Sequence, residues 1–147
     1  GWRPELLRRA SFAAIHEPVP GFVKDVRAAR SMVKSMVERG PYVRFVWTIS
    51  ADDHLDHHPL HGRRRSLLEA SASSCWLRIE RQTTVPFTDV GGSLFLIRTL
   101  LRPLSALTTT ERDVVAEALR VMPDEIAAYK GLAAGRAHVI ALIDAMR

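Results

Sequence analysis

"CWLRIERQT", Cys75 to Thr83, and "SLFLIRTLLR", Ser93 to Arg102, decide how this chain folds. In the first stretch Leu77, Ile79 and Arg81 fall on one side of an extended backbone, and Arg78, Glu80 and Gln82 on the other. In the second, Leu94, Leu96, Arg98 and Leu100 recur at the same period of two. Side chains that alternate in this way belong to strands, because successive Cβ atoms point to opposite faces. Between the two stretches, "VPFTDVGG" carries Pro86 and Gly91-Gly92, which suits a hairpin connection. A further strand is expected upstream at "YVRFVWTI", Tyr42 to Ile49, with Val43, Phe45, Trp47 and Ile49 on one face.

Helices surround these strands. From Phe22 to Arg39 the residues Phe22, Val26, Ala29, Val33, Met36 and Val37 recur at helical spacing, and Gly40-Pro41 stops the run. "PELLRRASFAAIH" reads as an earlier, shorter helix, closed by Pro18 and Pro20. Thr108 and Glu111 have the spacing of a capping box and open a helix through "ERDVVAEALRVM". "PDEIAAYKG" and "GRAHVIALIDAM" add two more. Consecutive strands pair antiparallel most simply, so the expected class is α+β: a small antiparallel sheet covered by helices, with a C-terminal helical segment.

The totals bound the rest. One domain over residues 1–147 is the expectation for 147 residues, and 47% hydrophobic with 25% charged is globular composition. No apolar run is long enough to cross a membrane as a helix, and "GWRPELLRRA" has charges where a signal peptide needs apolar residues. The single cysteine, Cys75, forms no internal disulfide, and a reducing cytoplasm is the expected location. The net charge of +5 comes from 18 arginines and only three lysines. They are scattered except at Arg63 to Arg65, so nucleic acid is not the expected partner. The chain opens on Gly1 and reads straight into "WRPELL", as a piece of a longer protein would.

Three features invite chemistry. The stretch "SADDHLDHHPLHGRRR", Ser50 to Arg65, gathers His54, His57, His58 and His61 with three aspartates, which suggests a metal site. Pro59 and Gly62 break any helix there, so the reading adopted is a wet, mobile surface loop whose four histidines are dispensable. Arg81 and Arg98 lie in line with apolar residues on adjacent strands, on the face expected to be buried. Buried arginines need partners, so they are expected either to bind an anionic ligand together or to form an internal ion pair, Arg98 with Glu80 or Asp89. Finally, His16 ends the apolar run "FAAIH" directly before "EPVPG", where Pro18 and Pro20 stiffen the backbone. A neutral imidazole held in that way can coordinate iron, or can simply pack or cap.

The segments "FAAIHEPVPGF" (Phe12 to Phe22), "FVWTI" (Phe45 to Ile49), "LRIERQT" (Leu77 to Thr83), "FLIRTLLRPL" (Phe95 to Leu104) and "MPDEIAAYKGL" (Met122 to Leu132) carry a resemblance. In this order they resemble the alpha-subunit-like proteins of haem-dependent oxidative N-demethylase. The resemblance implies a PAS-like haem-binding fold and an oxidoreductase of monooxygenase type. Such an enzyme uses dioxygen to convert a small methylamine to the demethylated amine and formaldehyde, with electrons from separate reductase subunits. It implies haem iron held by a histidine, for which His16 is the match. Arg81 and Arg98 would then face the haem propionates. Trp47 would belong to an apolar wall with Phe45, Leu77, Ile79, Phe95 and Ile97. The resemblance also implies an N-terminal part upstream of Gly1, so the chain is expected to be an incomplete domain. The other reading that fits is a non-catalytic PAS-like module that senses haem or another small ligand.

Overall fold

A computed structural model describes residues 8–22, 25–57 and 65–146. Three strands form one antiparallel sheet in the order β1-β2-β3: β1 is Tyr42–Ser50, β2 is Trp76–Phe87 and β3 is Gly92–Pro103. Five helices accompany them among the described residues, and the class is α+β. The β2–β3 connection is the expected short one, built as a 3-10 turn over Thr88–Val90. Gly91 closes it at φ 62°, a left-handed conformation that costs a glycine least.

Among the described residues two helices precede the sheet. α1 is only Phe12–His16, begun by Ser11, whose hydroxyl accepts from the Ala14 amide at 3.1 Å. Among the described residues the helix therefore begins at Phe12, after a cap that satisfies an otherwise orphaned N–H, and residues 4–7 lie outside the described residues. α2 is Val26–Glu38, with Asp25 as its N-cap. Three helices follow the sheet: α3, Thr109–Arg120; α4, Asp124–Tyr129; and α5, Arg136–Asp144. The Thr108–Glu111 capping box is present in both directions.

The residues divide into two compact units, and each strand contributes to both. The first contains Trp47–Ile79 and Thr99–Arg147. Its core is built from Leu104, Leu119, Leu132, Val139, Ile143 and Cys75, all fully buried. Trp47 and Leu77 pack against that core from the sheet. Burial pushes the Cys75 thiol above its ordinary pKa, so it stays protonated and acts as a small apolar side chain.

The second unit contains Trp2–Val46 and Glu80–Arg98. One face of its strands carries Tyr42, Arg44, Gln82, Thr84, Ser93, Phe95 and Ile97, which line a cavity together with α1 and α2. The alternate positions, Val43, Phe45, Arg81, Leu94, Leu96 and Arg98, are all exposed, Phe45 at 65%.

This corrects one expectation about the arginines. Arg81 and Arg98 do share a face by alternation, but it is the exposed one. The buried arginine of β2 is Arg78, 8% exposed, with Gln82 and Thr84 buried on the same parity. Gln82 and Thr84 line the second unit's cavity with α1 and α2, which leaves Arg81 on the exposed side. Arg78 lies in the first unit, where it binds the carbonyls of His54 and Leu55.

Candidate functional site

The second unit's cavity measures about 710 Å³. That lies within the roughly 300–1,000 Å³ of sites that take cofactors and small molecules. Phe12, Ile15, Met32, Met36, Phe95 and Ile97 supply its apolar wall. On α2, Met32, Ser35 and Met36 are three and four residues apart, so helical geometry delivers all three to the same side. The Ser35 and Tyr42 hydroxyls bond to each other at 2.8 Å and tie α2 to β1 at the wall.

His16 lines this cavity. Its Nδ1 lies 2.8 Å from the carbonyl oxygen of Phe12, one turn back in α1. A carbonyl oxygen only accepts, so Nδ1 is the donor of this bond. The Phe22 ring stacks on the imidazole at 4.8 Å between centroids, and the Phe12 ring lies at 4.2 Å, tilted. Rotation of the imidazole is thereby restricted from two sides. The sequence pattern pointed to His16 through its apolar approach and the prolines behind it, and the structure adds the Nδ1 bond.

Among the described residues Arg44 is the permanent cation that lines the cavity, and sequence reasoning passed over it. Its Nε donates to Gln82 Oε1 at 2.7 Å, and Gln82 Nε2 donates to Glu80 Oε2 at 3.0 Å. Gln82 is buried, so the amide that holds Arg44 is itself fixed. The signal was present in "YVRFVWTI": Tyr42 and Arg44 alternate with the apolar set, and only the apolar set was weighed.

The other expected ligand contacts stand elsewhere. The lining includes His16 but not Trp47, Arg81 or Arg98. Trp47 packs on the core of the first unit, where Lys130 Nζ donates to its carbonyl at 2.6 Å and lies 5.7 Å from its ring centroid. Phe45 has the parity opposite to Arg44, so the single wall expected of Phe45, Trp47, Leu77, Ile79, Phe95 and Ile97 does not form. Among the described residues Arg98 pairs with neither Glu80 nor Asp89.

The histidine-rich stretch is also corrected. His58, His61, Arg63 and Arg64 lie outside the described residues, but the part that precedes them is anchored. Arg78 donates to the carbonyls of His54 and Leu55 at 2.9 and 2.6 Å. His57 Nε2 donates to Asp52 Oδ1 at 2.8 Å, with the two side chains only 12% and 10% exposed. Burial alone would raise the Asp52 pKa, but the His57 hydrogen bond and the His54 amide outweigh it and hold the carboxyl below the ordinary range. His57 is thus a packed side chain bonded to Asp52, on a segment whose His54 and Leu55 carbonyls Arg78 binds.

The whole pattern has a relative. The family described as haem-dependent oxidative N-demethylase, alpha subunit-like, matches residues 1–140. The chain belongs to that family. No curated protein matches it.

The second unit's cavity fits the group that the family name carries. Metal-bound imidazoles as a rule donate their other N–H to a carbonyl or carboxylate, as His16 does to Phe12. A flat apolar macrocycle suits the Phe, Met and Ile wall, and a guanidinium fixed by an amide suits a propionate. Among the described residues no three His, Cys, Asp or Glu side chains converge on a metal, but a haem iron needs one or two protein ligands.

Proposed function

We propose that this chain binds haem in the second unit's cavity, with His16 as the axial ligand of the iron, and that it serves oxidative N-demethylation. The observation that carries the reading is the His16 ring, which faces a cofactor-sized cavity with its Nδ1 proton already committed to Phe12. In this reading Nε2 meets the iron, and the Phe12 and Phe22 rings keep the imidazole oriented. Arg44, braced through Gln82 by Glu80, binds a propionate, while Met32, Met36, Phe95 and Ile97 exclude water. Bound haem supplies the activation of dioxygen by which a methyl group leaves a small methylamine as formaldehyde. The electrons come from reductase subunits, as the words alpha subunit in the family description suggest.

A hemin titration tests the ligand. The wild type is expected to develop the Soret band of a histidine-ligated haem. His16→Ala should lose that signature, and Arg44→Gln should keep it with weaker affinity. His54→Ala, at an exposed histidine, is expected to match the wild type. A ligated spectrum that persists in His16→Ala refutes the assignment. Formaldehyde release from a methylamine, dioxygen and a reductase then separates the enzyme from a ligand-sensing module, which would hold haem without turnover.

A further inference from the structure

The open face of the second unit's strands holds an arrangement that haem binding does not use. β2 and β3 are twelve residues each, joined by the turn over Thr88–Val90 and Gly91, so Phe87 stands opposite Gly92. Six residues inward from that pair along each strand, Arg81 stands opposite Arg98. The far end of the hairpin fixes the same register. There the Leu104 amide donates to the Cys75 carbonyl at 2.9 Å, and six residues from each lie the same two arginines. Side chains directly opposite in an antiparallel pair have Cβ atoms about 4.5–5.5 Å apart, and like charges so placed are destabilising. Among the described residues no ion pair includes either guanidinium. Phe45, Leu94 and Leu96 are exposed on the same face. No strand position of this parity in the second unit is an aspartate or a glutamate. The face therefore carries two permanent cations, an apolar strip and no anion of its own.

We propose that this face docks a partner protein through an amphipathic segment, which lays apolar side chains on Phe45, Leu94 and Leu96 and sets a carboxylate between Arg81 and Arg98. The sign of the partner follows from charge complementarity. A carboxylate between the two guanidiniums replaces their mutual repulsion with charge-assisted hydrogen bonds, and each guanidinium fork matches two oxygens. Apolar contact around it removes water and strengthens those bonds. A second copy of this chain is the wrong occupant, because its own arginine pair would meet this one. A lipid surface is also the wrong occupant: Arg81 lies on β2, the central strand, so a guanidinium from the middle of the face would have to enter the apolar layer, which is costly. The proposal stands whether or not the cavity on the other face of the sheet holds haem.

The experiment is an amide NMR titration with a synthetic amphipathic helix whose leucine stripe carries glutamates. The same peptide with glutamines, and vesicles of phosphatidylcholine with phosphatidylglycerol, are run beside it. Saturable shifts are expected over residues 81–85 and 94–98 with the glutamate peptide. Affinity should fall at least tenfold, about 1.4 kcal/mol, with the glutamine peptide and in the Arg81→Gln, Arg98→Gln double variant. Both side chains are exposed, so that variant keeps the fold. Lys34→Gln, an exposed cation on α2, should bind as the wild type does. The free protein gives a second readout: Arg98→Gln removes one of two opposed like charges and should raise the urea midpoint at constant slope. Absence of saturable shifts, equal affinity for the two peptides, full affinity in the double variant, or equal weakening in Lys34→Gln would each overturn the proposal. So would saturation by vesicles in place of the peptide, self-association through these residues without it, or a midpoint that does not rise.

Discussion

Replacing Arg78 with methionine is expected to release the segment around His54 from β2. The side chain is 8% exposed, and its two short bonds run to the His54 and Leu55 carbonyls. Hydrogen bonds from a charged donor contribute about 1.5–3 kcal/mol each. Methionine keeps much of the apolar stem, so no large cavity opens, and the loss comes mainly from those bonds. Leu55 is 64% exposed, so water can reach the carbonyls once the guanidinium is gone. That places the net cost at the low end of the sum, about 3 kcal/mol, a large share of the roughly 5–15 kcal/mol that domains have. Urea denaturation at neutral pH measures the total. Hydrogen exchange locates it, with the His54 amide, now bonded to Asp52, expected to lose protection first. A loss below about 0.5 kcal/mol, or unchanged exchange over residues 52–57, would refute the idea that Arg78 anchors this segment.

Two further outcomes follow from single contacts. The Asp52 carboxyl has its folded pKa depressed, so its ionised form stabilises the fold above the ordinary aspartate pKa of about 3.9, and this contribution is lost as pH falls through the lowered folded value. Asp52→Asn should therefore lower stability at pH 7 and flatten the acid limb of the stability curve below about pH 4; an unchanged acid limb argues against the pair. A Cβ at Gly135 would collide with Leu67 Cβ, a side-chain root that cannot swing aside. Gly135→Ala should cost about 1–3 kcal/mol by overpacking, read as a lower urea midpoint at constant slope, and a neutral or stabilising result would show that the 3-10 turn at Leu67–Glu69 yields easily.

The elements were legible because period and punctuation are local. β2 and β3 announced themselves by alternation, α2 by its spacing and its Gly40-Pro41 stop, and α3 by its capping box. What alternation cannot say is which face of a strand is covered, since that depends on helices far away in the chain. Arg78 and Arg81 differ by an odd step, so naming one face buried inverts both roles at once. The same limit hid Arg44, whose value lies in a bond to Gln82 from another strand. The position of His16 at the cavity was legible because its surroundings are local: Phe12 is one turn back and Phe22 six residues ahead. His57 was not, because the arginine that anchors its segment arrives from 21 residues or more further along the sequence.

The open face of the second unit has a consequence for how the chain behaves at concentration. Val43, Phe45, Leu94 and Leu96 stand in solvent there with Arg81 and Arg98 among them. An apolar strip of this kind attracts its own copies, and a fixed charge within it makes stacking two strips unfavourable. The two arginines are thus placed to oppose that stacking, a colloidal effect separate from folding and from ligand binding. Added salt shortens the reach of their repulsion, to about 10 Å at 0.1 M, so the concentration at which copies begin to cluster falls as ionic strength rises.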